Sequence, residues 1–125
     1  MKATTAVGAT TAAVGRYGER VAVDHLQRAG MQVLDRNWRC RDGELDVVVL
    51  DGDCVVAVEV KTRRSAACGH PFEAVTPLKA ARLRRLILAW LVAHDRRYAR
   101  VRVDVVAVLR PPSGPAQVEH LRGVG

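Results

Sequence analysis

Aromatic residues are scarce in this sequence, with two Trp, two Tyr and one Phe among 125 residues. Val, Ala and Leu must therefore fill most of the core of any folded domain. A chain of this length buries roughly two-thirds of its unfolded surface as one domain. We expect a single domain over residues 15–125, preceded by a disordered N-terminal tail over residues 1–14, which are rich in Ala and Thr.

Paired cysteines and long apolar runs are also missing. The three cysteines, Cys40, Cys54 and Cys68, form no CxxC pair, and an odd number argues against a disulfide framework. We expect Cys54, in a valine-rich run, to act as a small core residue. Cys68 and His70 offer two metal ligands without a second pair, which is a weak indication of a site. Because no apolar run can span a membrane and no signal-peptide centre is present, we expect a reduced cytoplasmic protein without membrane contact.

Acidic residues are outnumbered by basic ones, 13 Asp and Glu against 20 Lys and Arg, which gives a formal net charge of +7. Such a charge favours polyanionic partners, and the planar guanidinium of arginine matches phosphate oxygens. Many basic proteins bind no nucleic acid, however. Composition alone therefore leaves nucleic-acid binding and a solvated basic surface equally open.

Apolar periodicity and turn residues predict the element order αβββαβ with an optional last strand, an α/β fold in which helices flank a central mixed sheet. Asp51-Gly52 between two valine-rich runs predicts a hairpin, and Thr76-Pro77 predicts a helix start with an N-cap and a proline at the first position. The predicted helices cover residues 15–29 and 76–94, and the predicted strands cover 31–36, 43–50, 54–62, 101–109 and 118–121.

Acidic side chains interrupt two valine-rich runs, at 43–46 (GELD) and at 58–61 (VEVK). A charge in such a run costs several kcal/mol unless another group compensates it. Asp46 and Glu59 lie in the two arms of the predicted hairpin, and Mg²⁺ prefers one or two carboxylates together with waters and phosphate oxygens. Since side chains alternate along a strand, Lys61 faces the same way as Glu59 and can neutralise a phosphate. The pattern predicts a metal site for phosphodiester cleavage, and the alternative is a Glu–Lys pair on a solvated strand face.

Two further charged side chains lie within the predicted apolar faces of the helices, Glu19 on the first and Lys79 on the second. An inward-facing acid needs a partner such as a metal-bound water or a basic group, although the helix dipole also favours a glutamate in a first turn. Lys79 can reach a phosphate near the site. Alternatively, its stem lies along the edge of the core with the ammonium in water.

Arginines flank the predicted site in loops and at strand ends. We expect Arg39, Arg63 and Arg64, together with Lys79, to contact the backbone of a nucleic acid. A solvated basic surface is the alternative for any one of them. Trp38 can stack on a base, but a tryptophan placed here more often closes one end of a core, which is the interpretation we favour.

The sequence carries five short motifs in one order: Gly18-Glu19, Arg36-Asn37-Trp38-Arg39, Gly43-Glu44-Leu45-Asp46, Val58-Glu59-Val60-Lys61-Thr62-Arg63 and Thr76-Pro77-Leu78-Lys79. In these motifs it resembles the bacterial YraN family, over residues 15–108. Through that family it is similar to the restriction-endonuclease-like PD-(D/E)xK superfamily, and most closely to archaeal Holliday-junction resolvases. One departure is that Leu45, not proline, precedes Asp46, which removes no ligand.

The resemblance implies a restriction-endonuclease-like fold and assigns roles by motif. Asp46 matches the metal-binding aspartate of the superfamily, and Glu59 and Lys61 match its ExK motif. Glu19 matches the helical glutamate of the resolvase branch. The resemblance thus implies that Asp46, Glu59 and the Val60 carbonyl hold Mg²⁺ or Mn²⁺, and that Lys61 assists the attacking water. The implied substrate is DNA, including branched or structured DNA.

Other functions are open besides an endonuclease. The same fold and basic surface can serve a non-catalytic nucleic-acid-binding module. The basic flank of the second helix, with Arg82 and Arg85, can also dock an adaptor onto a DNA-processing ATPase. A homodimer is a further expectation, because two chains can cut both strands of a duplex.

Overall fold

The computed structural model describes residues 11–64 and 75–124, with side chains from residue 13 onward. The elements are α1 (Thr11–Arg28), β1 (Gln32–Cys40), β2 (Gly43–Asp51), β3 (Cys54–Arg63), α2 (Pro77–Ala93), β4 (Arg100–Leu109) and β5 (Gln117–Leu121). This order confirms the predicted α/β arrangement, including the optional last strand. Neither of the two helices in these ranges is long and apolar enough to cross a membrane.

The five strands form one sheet in the order β1-β2-β3-β4-β5. Neighbouring strands are antiparallel except β3 and β4, which run parallel. Helix α2 lies between β3 and β4 in the chain and makes the crossover that a parallel pair requires. The sheet is therefore mixed, as predicted, and β3 is its central strand, with residues 54–59 all buried.

Helix α1 packs on one face of the sheet and α2 on the other. The buried cluster on the α1 side contains Ala22, Leu26, Met31, Val47, Val49, Cys54, Val56, Val58, Val106 and Val108. The cluster on the α2 side contains Leu45, Val48, Val55, Ala57, Leu83, Leu86, Ile87, Trp90 and Val103. Small aliphatic side chains fill most of both layers, as the scarcity of aromatic residues predicts, and Cys54 is a core residue.

Helix α2 begins where the sequence predicts. Thr76 is its N-cap, and the Thr76 Oγ1 accepts a hydrogen bond from the Lys79 N–H at 3.1 Å. Pro77 occupies the first helical position, where it has no backbone donor to leave unpaired. Because the backbone of Lys79 takes part in this cap, the cap also fixes where the Lys79 side chain leaves the helix.

Helix α1 begins at Thr11, four residues before its predicted start. Val14, Gly18, Ala22 and Leu26 are all buried and follow one another at helical spacing, so they form one stripe against the sheet. The prediction placed Val14 in the tail because the residues before it are mostly Ala and Thr. The division between tail and domain otherwise stays a prediction.

Strand β1 extends to Cys40, beyond the predicted end at residue 36. Trp38 and Cys40 pack against the α2-side cluster, and this burial favours continued strand pairing over the predicted polar connection. Trp38 therefore closes one end of the core, which confirms the favoured interpretation. Asn37 has a φ of 53°, so β1 is locally irregular at the position opposite Asp46.

Candidate active site

The candidate site lies where strands β2 and β3 stop pairing. Their paired residues end at Val47↔Val58, so Asp46 and Glu59 are the first residues beyond the paired region. The Asp46 Oδ2 accepts a hydrogen bond from the Val60 N–H at 2.9 Å. A side-chain oxygen thus replaces a backbone acceptor for β3, and this bond holds the two acidic positions next to each other.

A cavity of about 350 Å³ opens at this point. Three acidic and three basic side chains line it: Glu44, Asp46, Glu59, Lys61, Lys79 and Arg82. The rest of its lining consists of Val60 and two leucines of α2. The structure therefore brings the acid–lysine set of β2 and β3 to one cavity and adds two basic residues from α2. Because most of this lining is charged, the cavity suits a charged ligand.

Glu59 is a buried carboxylate held by two lysines. Its Oε2 lies 2.9 Å from the Lys79 Nζ and 3.3 Å from the Lys61 Nζ, and the residue is 7% exposed. Burial on its own would raise the pKa of Glu59, but the two ammonium groups outweigh it and hold the pKa below its usual range. Glu59 is therefore ionised at neutral pH.

Asp46 has the opposite character. Burial, and then the negative charge of Glu59, raise the pKa of Asp46 to about 7, although the hydrogen bond from the Val60 N–H works against this rise. The two carboxyl groups therefore resist being ionised together while no cation lies between them. A cation bound between two such carboxyl groups is strongly stabilising, because its positive charge offsets both the cost of burying them and their mutual repulsion.

Glu19 of α1 lies near the same site without lining the cavity. It is half-buried, and its charge is a further cause of the raised pKa of Asp46. Its neighbour Gly18 allows this approach, since a Cβ at Gly18 would collide with the side chain of Thr62 on β3. The helix backbone thus lies directly on β3 next to Lys61. Sequence reasoning placed Glu19 in the inward stripe and Gly18 in a motif, but it missed the close contact of Gly18 with Thr62, for which the signal is a glycine inside a buried helix face.

The donor set fits a small divalent cation. Two carboxylates and the nearby Val60 carbonyl are hard oxygen ligands, and Mg²⁺ binds few protein ligands while keeping waters and substrate oxygens. Within residues 13–64 and 75–124, no three His, Cys, Asp or Glu side chains converge as a fuller metal cage. Cys68 and His70 lie outside the described residues. Asp46, Glu59 and Val60 are therefore the residues that would hold the ion.

The predicted nucleic-acid-binding arginines lie around this cavity without lining it. The Arg39 Nε is 3.3 Å from the Glu44 Oε2, so Arg39 pairs with an acid at the cavity wall. The Arg63 Nη1 donates to the Thr62 carbonyl at 3.2 Å. Arg64 borders a separate cavity near Arg110. Their contact with a nucleic acid stays a prediction.

Arg82 is a cavity residue that sequence reasoning assigned to the outer flank of α2. Its Nη2 donates to the Asp42 carbonyl at 3.0 Å, which attaches α2 to the turn between β1 and β2. Gly43, the first residue of β2 after that turn, has a φ of 148°, and a Cβ there would lie 3.0 Å from the Arg82 Nη2. The signal that was available is its spacing from Lys79, because residues three apart on a helix face the same side.

A second charged cluster, on β4 and β5, was also missed. Asp104 is fully buried and accepts hydrogen bonds from Arg102 at 2.8 and 2.9 Å, from the His120 Nε2 at 2.9 Å and from the Gly123 N–H at 3.0 Å. The His120 Nδ1 in turn lies 3.3 Å from the His25 Nε2 on α1. Both Asp104 oxygens thus have partners, which makes this cluster a structural connection between β4, β5 and α1.

Comparisons with known proteins place the chain among bacterial relatives of one family. The model of the family described as "Uncharacterised protein family UPF0102" matches residues 18–108. A UPF0102 protein of Beutenbergia cavernae is 63% identical over 113 residues, which is 90% of this chain and 96% of the relative. A UPF0102 protein of Kineococcus radiotolerans is 65% identical, over 90% of this chain and 93% of the relative.

Among solved structures, similarity is found to Archaeoglobus fulgidus Hjc, described as a Holliday junction resolvase from an archaeal hyperthermophile. The TM-score is 0.38 at 14% sequence identity, and the match covers 83% of this chain and 74% of that chain. The likeness is distant, and the chemistry proposed below depends on the cavity of this chain alone.

Proposed function

We propose that this chain, which belongs to the uncharacterised protein family UPF0102, is a metal-dependent endonuclease that hydrolyses phosphodiester bonds in DNA. One observation carries the proposal. The half-buried Asp46 and the buried Glu59 lie side by side where β2 and β3 stop pairing, and Lys61 stands 3.3 Å from Glu59 in the same cavity. Two adjacent acids and a lysine around a polar cavity are the groups that metal-assisted phosphoryl chemistry needs.

The acids supply the negative charge of the site. Glu59 is ionised, and a cation that offsets the charge of Glu59 would lower the pKa of Asp46 and favour its ionised form. Bound Mg²⁺ or Mn²⁺ would stabilise the charge that develops on the phosphate and make a neighbouring water more acidic. Glu19 is near enough to act on the charge of Asp46 and is suited to accept a hydrogen bond from a water in the outer shell of the ion.

Lys61 is the electrophilic residue of the site. Its stem belongs to β3, so the position of its ammonium is set by a central, buried strand rather than by a mobile loop. An ammonium here can hold a non-bridging phosphate oxygen and orient the attacking water. Because Lys61 pairs with Glu59, it also helps to keep that carboxylate ionised.

The positive charge around the cavity is the basis for proposing a nucleic acid as substrate. Arg39 pairs with Glu44 at the cavity wall, and Arg63 and Arg64 follow Lys61 at the end of β3, so we expect them to contact phosphates beyond the scissile bond. The motif resemblance to resolvases favours DNA, with branched DNA as the first class to test. A dimer that places two such cavities on one substrate would cut both strands.

A cleavage assay tests the proposal. Linear, flapped and four-way DNA are incubated with the purified protein in Mg²⁺ or Mn²⁺ and in EDTA, and the native chain is compared with Asp46→Asn, Glu59→Gln and Lys61→Ala. We expect metal-dependent cleavage that falls at least 100-fold in each variant, the range observed when an electrostatic catalytic group is removed. Asp53→Asn is the matched control, since Asp53 is an exposed acid paired with Arg100 at the far hairpin.

Two results would contradict the proposal. If the folded native chain cleaves none of these substrates with either metal, the proposed endonuclease activity is wrong. Equal DNA binding by the native chain and by Asp46→Asn and Glu59→Gln, without cleavage by any of them, favours the non-catalytic module instead.

A further inference from the structure

Lys79 makes the shortest ion pair in the candidate site. Its Nζ lies 2.9 Å from the Glu59 Oε2, closer than the Lys61 Nζ at 3.3 Å. The two lysines come from different elements, Lys61 from β3 and Lys79 from the first turn of α2. One carboxylate oxygen thus holds two ammonium groups, and one of them joins the crossover helix to the central strand.

This arrangement conflicts with the binding of a cation. An ion held by Asp46 and Glu59 needs an oxygen of Glu59, and it would then share one carboxylate with the two ammonium groups that already lie on its Oε2. Like charges at this distance repel strongly in a partly buried site. Three positive groups on one carboxylate therefore favour the release of at least one lysine when the ion binds.

Lys79 is the lysine that is free to move. Its side chain is 35% exposed, against 21% for Lys61, and it leaves a helix at the rim of the cavity rather than a buried strand. A lysine stem has four rotatable carbons, so its ammonium can swing while the capped backbone stays fixed. Arg82 follows one turn later and lines the same cavity, so a released Lys79 would stand beside a second positive group.

We propose that Lys79 changes partners during the cycle of this site: it holds the Glu59 carboxylate in the metal-free protein and a phosphate oxygen of DNA once a divalent cation occupies Asp46 and Glu59. This inference rests on the proposed function. It makes Lys79 a coupling residue with two opposed effects. Lys79 weakens binding of the cation, since the ion must displace it, and it strengthens binding of DNA only when the ion is present.

Linkage makes this coupling reciprocal, so the cation improves the affinity for DNA and DNA improves the affinity for the cation by the same factor. Replacing Lys79 is therefore expected to strengthen binding of the cation and to weaken the binding of DNA in the presence of the cation. These opposite effects distinguish the proposed role from a purely structural one. A residue that only stabilises the site would weaken binding of both the ion and DNA when it is replaced.

The test measures both ligands for the full chain and for Lys79→Gln. Mn²⁺ affinity without DNA is measured by calorimetry, and the affinity for a four-way DNA is measured by fluorescence anisotropy in Ca²⁺, which supports binding without requiring turnover, and in EDTA. We expect Mn²⁺ to bind roughly fivefold or more tightly to Lys79→Gln, within the usual range of coupling between sites. We expect the gain in DNA affinity on adding Ca²⁺ to shrink by a similar factor.

Arg84→Gln is the matched control, because it removes one positive charge from an exposed position of the same helix. It is expected to change DNA affinity equally in Ca²⁺ and in EDTA and to leave Mn²⁺ affinity unaltered. Lys79→Arg keeps the charge and is expected to restore the Ca²⁺-dependent gain in part. Circular dichroism melting confirms that each variant is folded, and Lys79→Met serves as the second neutral variant if Lys79→Gln unfolds.

The outcomes distinguish the two proposals. Unaltered or weaker Mn²⁺ binding by folded Lys79→Gln or Lys79→Met overturns the partner exchange and leaves the nuclease proposal intact. A loss of DNA affinity that is the same with and without Ca²⁺ also overturns it, because Lys79 is then a simple phosphate contact. A native chain that binds no Mn²⁺ overturns both proposals together.

Discussion

Gly18 of α1 lies directly against Thr62 of β3, so closely that no Cβ fits between them. The contact joins the helix that carries Glu19 to the strand that carries Lys61. It therefore sets the distance between the acid of α1 and the rest of the candidate site. Adding a single methyl group at position 18 should therefore push α1 away from β3, and this can be tested by substitution.

Gly18→Ala is expected to destabilise the protein by about 1–3 kcal/mol, the usual cost of overpacking a fitted contact. Gly15→Ala is the control, since a Cβ at Gly15 meets no atom within 4 Å and alanine favours a helix by roughly 0.5–1 kcal/mol. Urea unfolding measures both changes. Equal changes in the two variants would contradict the close contact. The double variant Gly18→Ala/Thr62→Ala is expected to recover part of the lost stability, because alanine removes the colliding side-chain atoms.

Divalent metal is expected to stabilise the folded chain through Asp46 and Glu59. An ion that binds only the folded state adds about 2.7 kcal/mol at a concentration 100 times its Kd. Thermal unfolding with Mn²⁺ and with EDTA measures this gain. Glu59→Gln is expected to lose it, and Asp53→Asn at the far hairpin is expected to keep it. The prediction is wrong if Mn²⁺ raises the melting temperature of Glu59→Gln as much as that of the native chain.

Asp104→Ala is expected to cost about 3–5 kcal/mol, because it leaves the partly buried Arg102 guanidinium without the acid that accepts two of its hydrogen bonds. Asp53→Ala is the comparison. It breaks the exposed pair between Asp53 and Arg100, the first residue of β4, and exposed pairs contribute about 0–1 kcal/mol. Guanidinium unfolding of both variants gives the comparison. A cost for Asp104→Ala that does not exceed that of Asp53→Ala would show that the buried cluster is dispensable.

Stability is expected to fall in mildly acidic solution because of His25. Burial, and then the charges of His120 and Arg122, lower the pKa of His25 below its ordinary 6.5, although Asp24 opposes this effect. A histidine with a lowered folded-state pKa takes up its proton more readily in the unfolded chain. Its contribution to stability is thus complete above pH 6.5 and is lost as the pH falls through the folded-state value.

His25→Asn removes this titrating group and is expected to flatten the decline of stability between about pH 6.5 and pH 5. Unfolding free energies across that range, measured for both chains, provide the check. A decline of the same steepness in the variant would contradict the assignment of the effect to His25.

Much of the fold follows from local patterns. The hairpin at Asp51-Gly52 and the helix start at Thr76-Pro77 lie where turn and cap residues predict them, since both features are determined by neighbours in the chain. The motif resemblance to the YraN family is confirmed by the family match over residues 18–108. The prediction is wrong at the end of β1. The strand continues to Cys40 because Trp38 packs against the α2-side cluster, and this contact is with residues far away in the sequence.

The candidate site was predicted in part for a similar reason. Charges inside valine-rich strands single out Asp46 and Glu59, because an uncompensated acid in a core is costly. The end of strand pairing at Val47 was not predictable, nor was the packing of Leu45 on the α2 side while Val47 packs on the α1 side. Alternation along a regular strand would place both on one face, and the irregularity at Asn37 in β1 accompanies the change.

The hydrogen bond from the Val60 N–H to Asp46 has an evolutionary consequence. An asparagine at position 46 would still offer a carbonyl oxygen to Val60, so the backbone would keep its partner while the negative charge vanished. A single-nucleotide change in the codon would therefore remove a carboxylate of the proposed metal site and keep the fold. Proteins that evolve from such a variant would keep the fold and could acquire a different function.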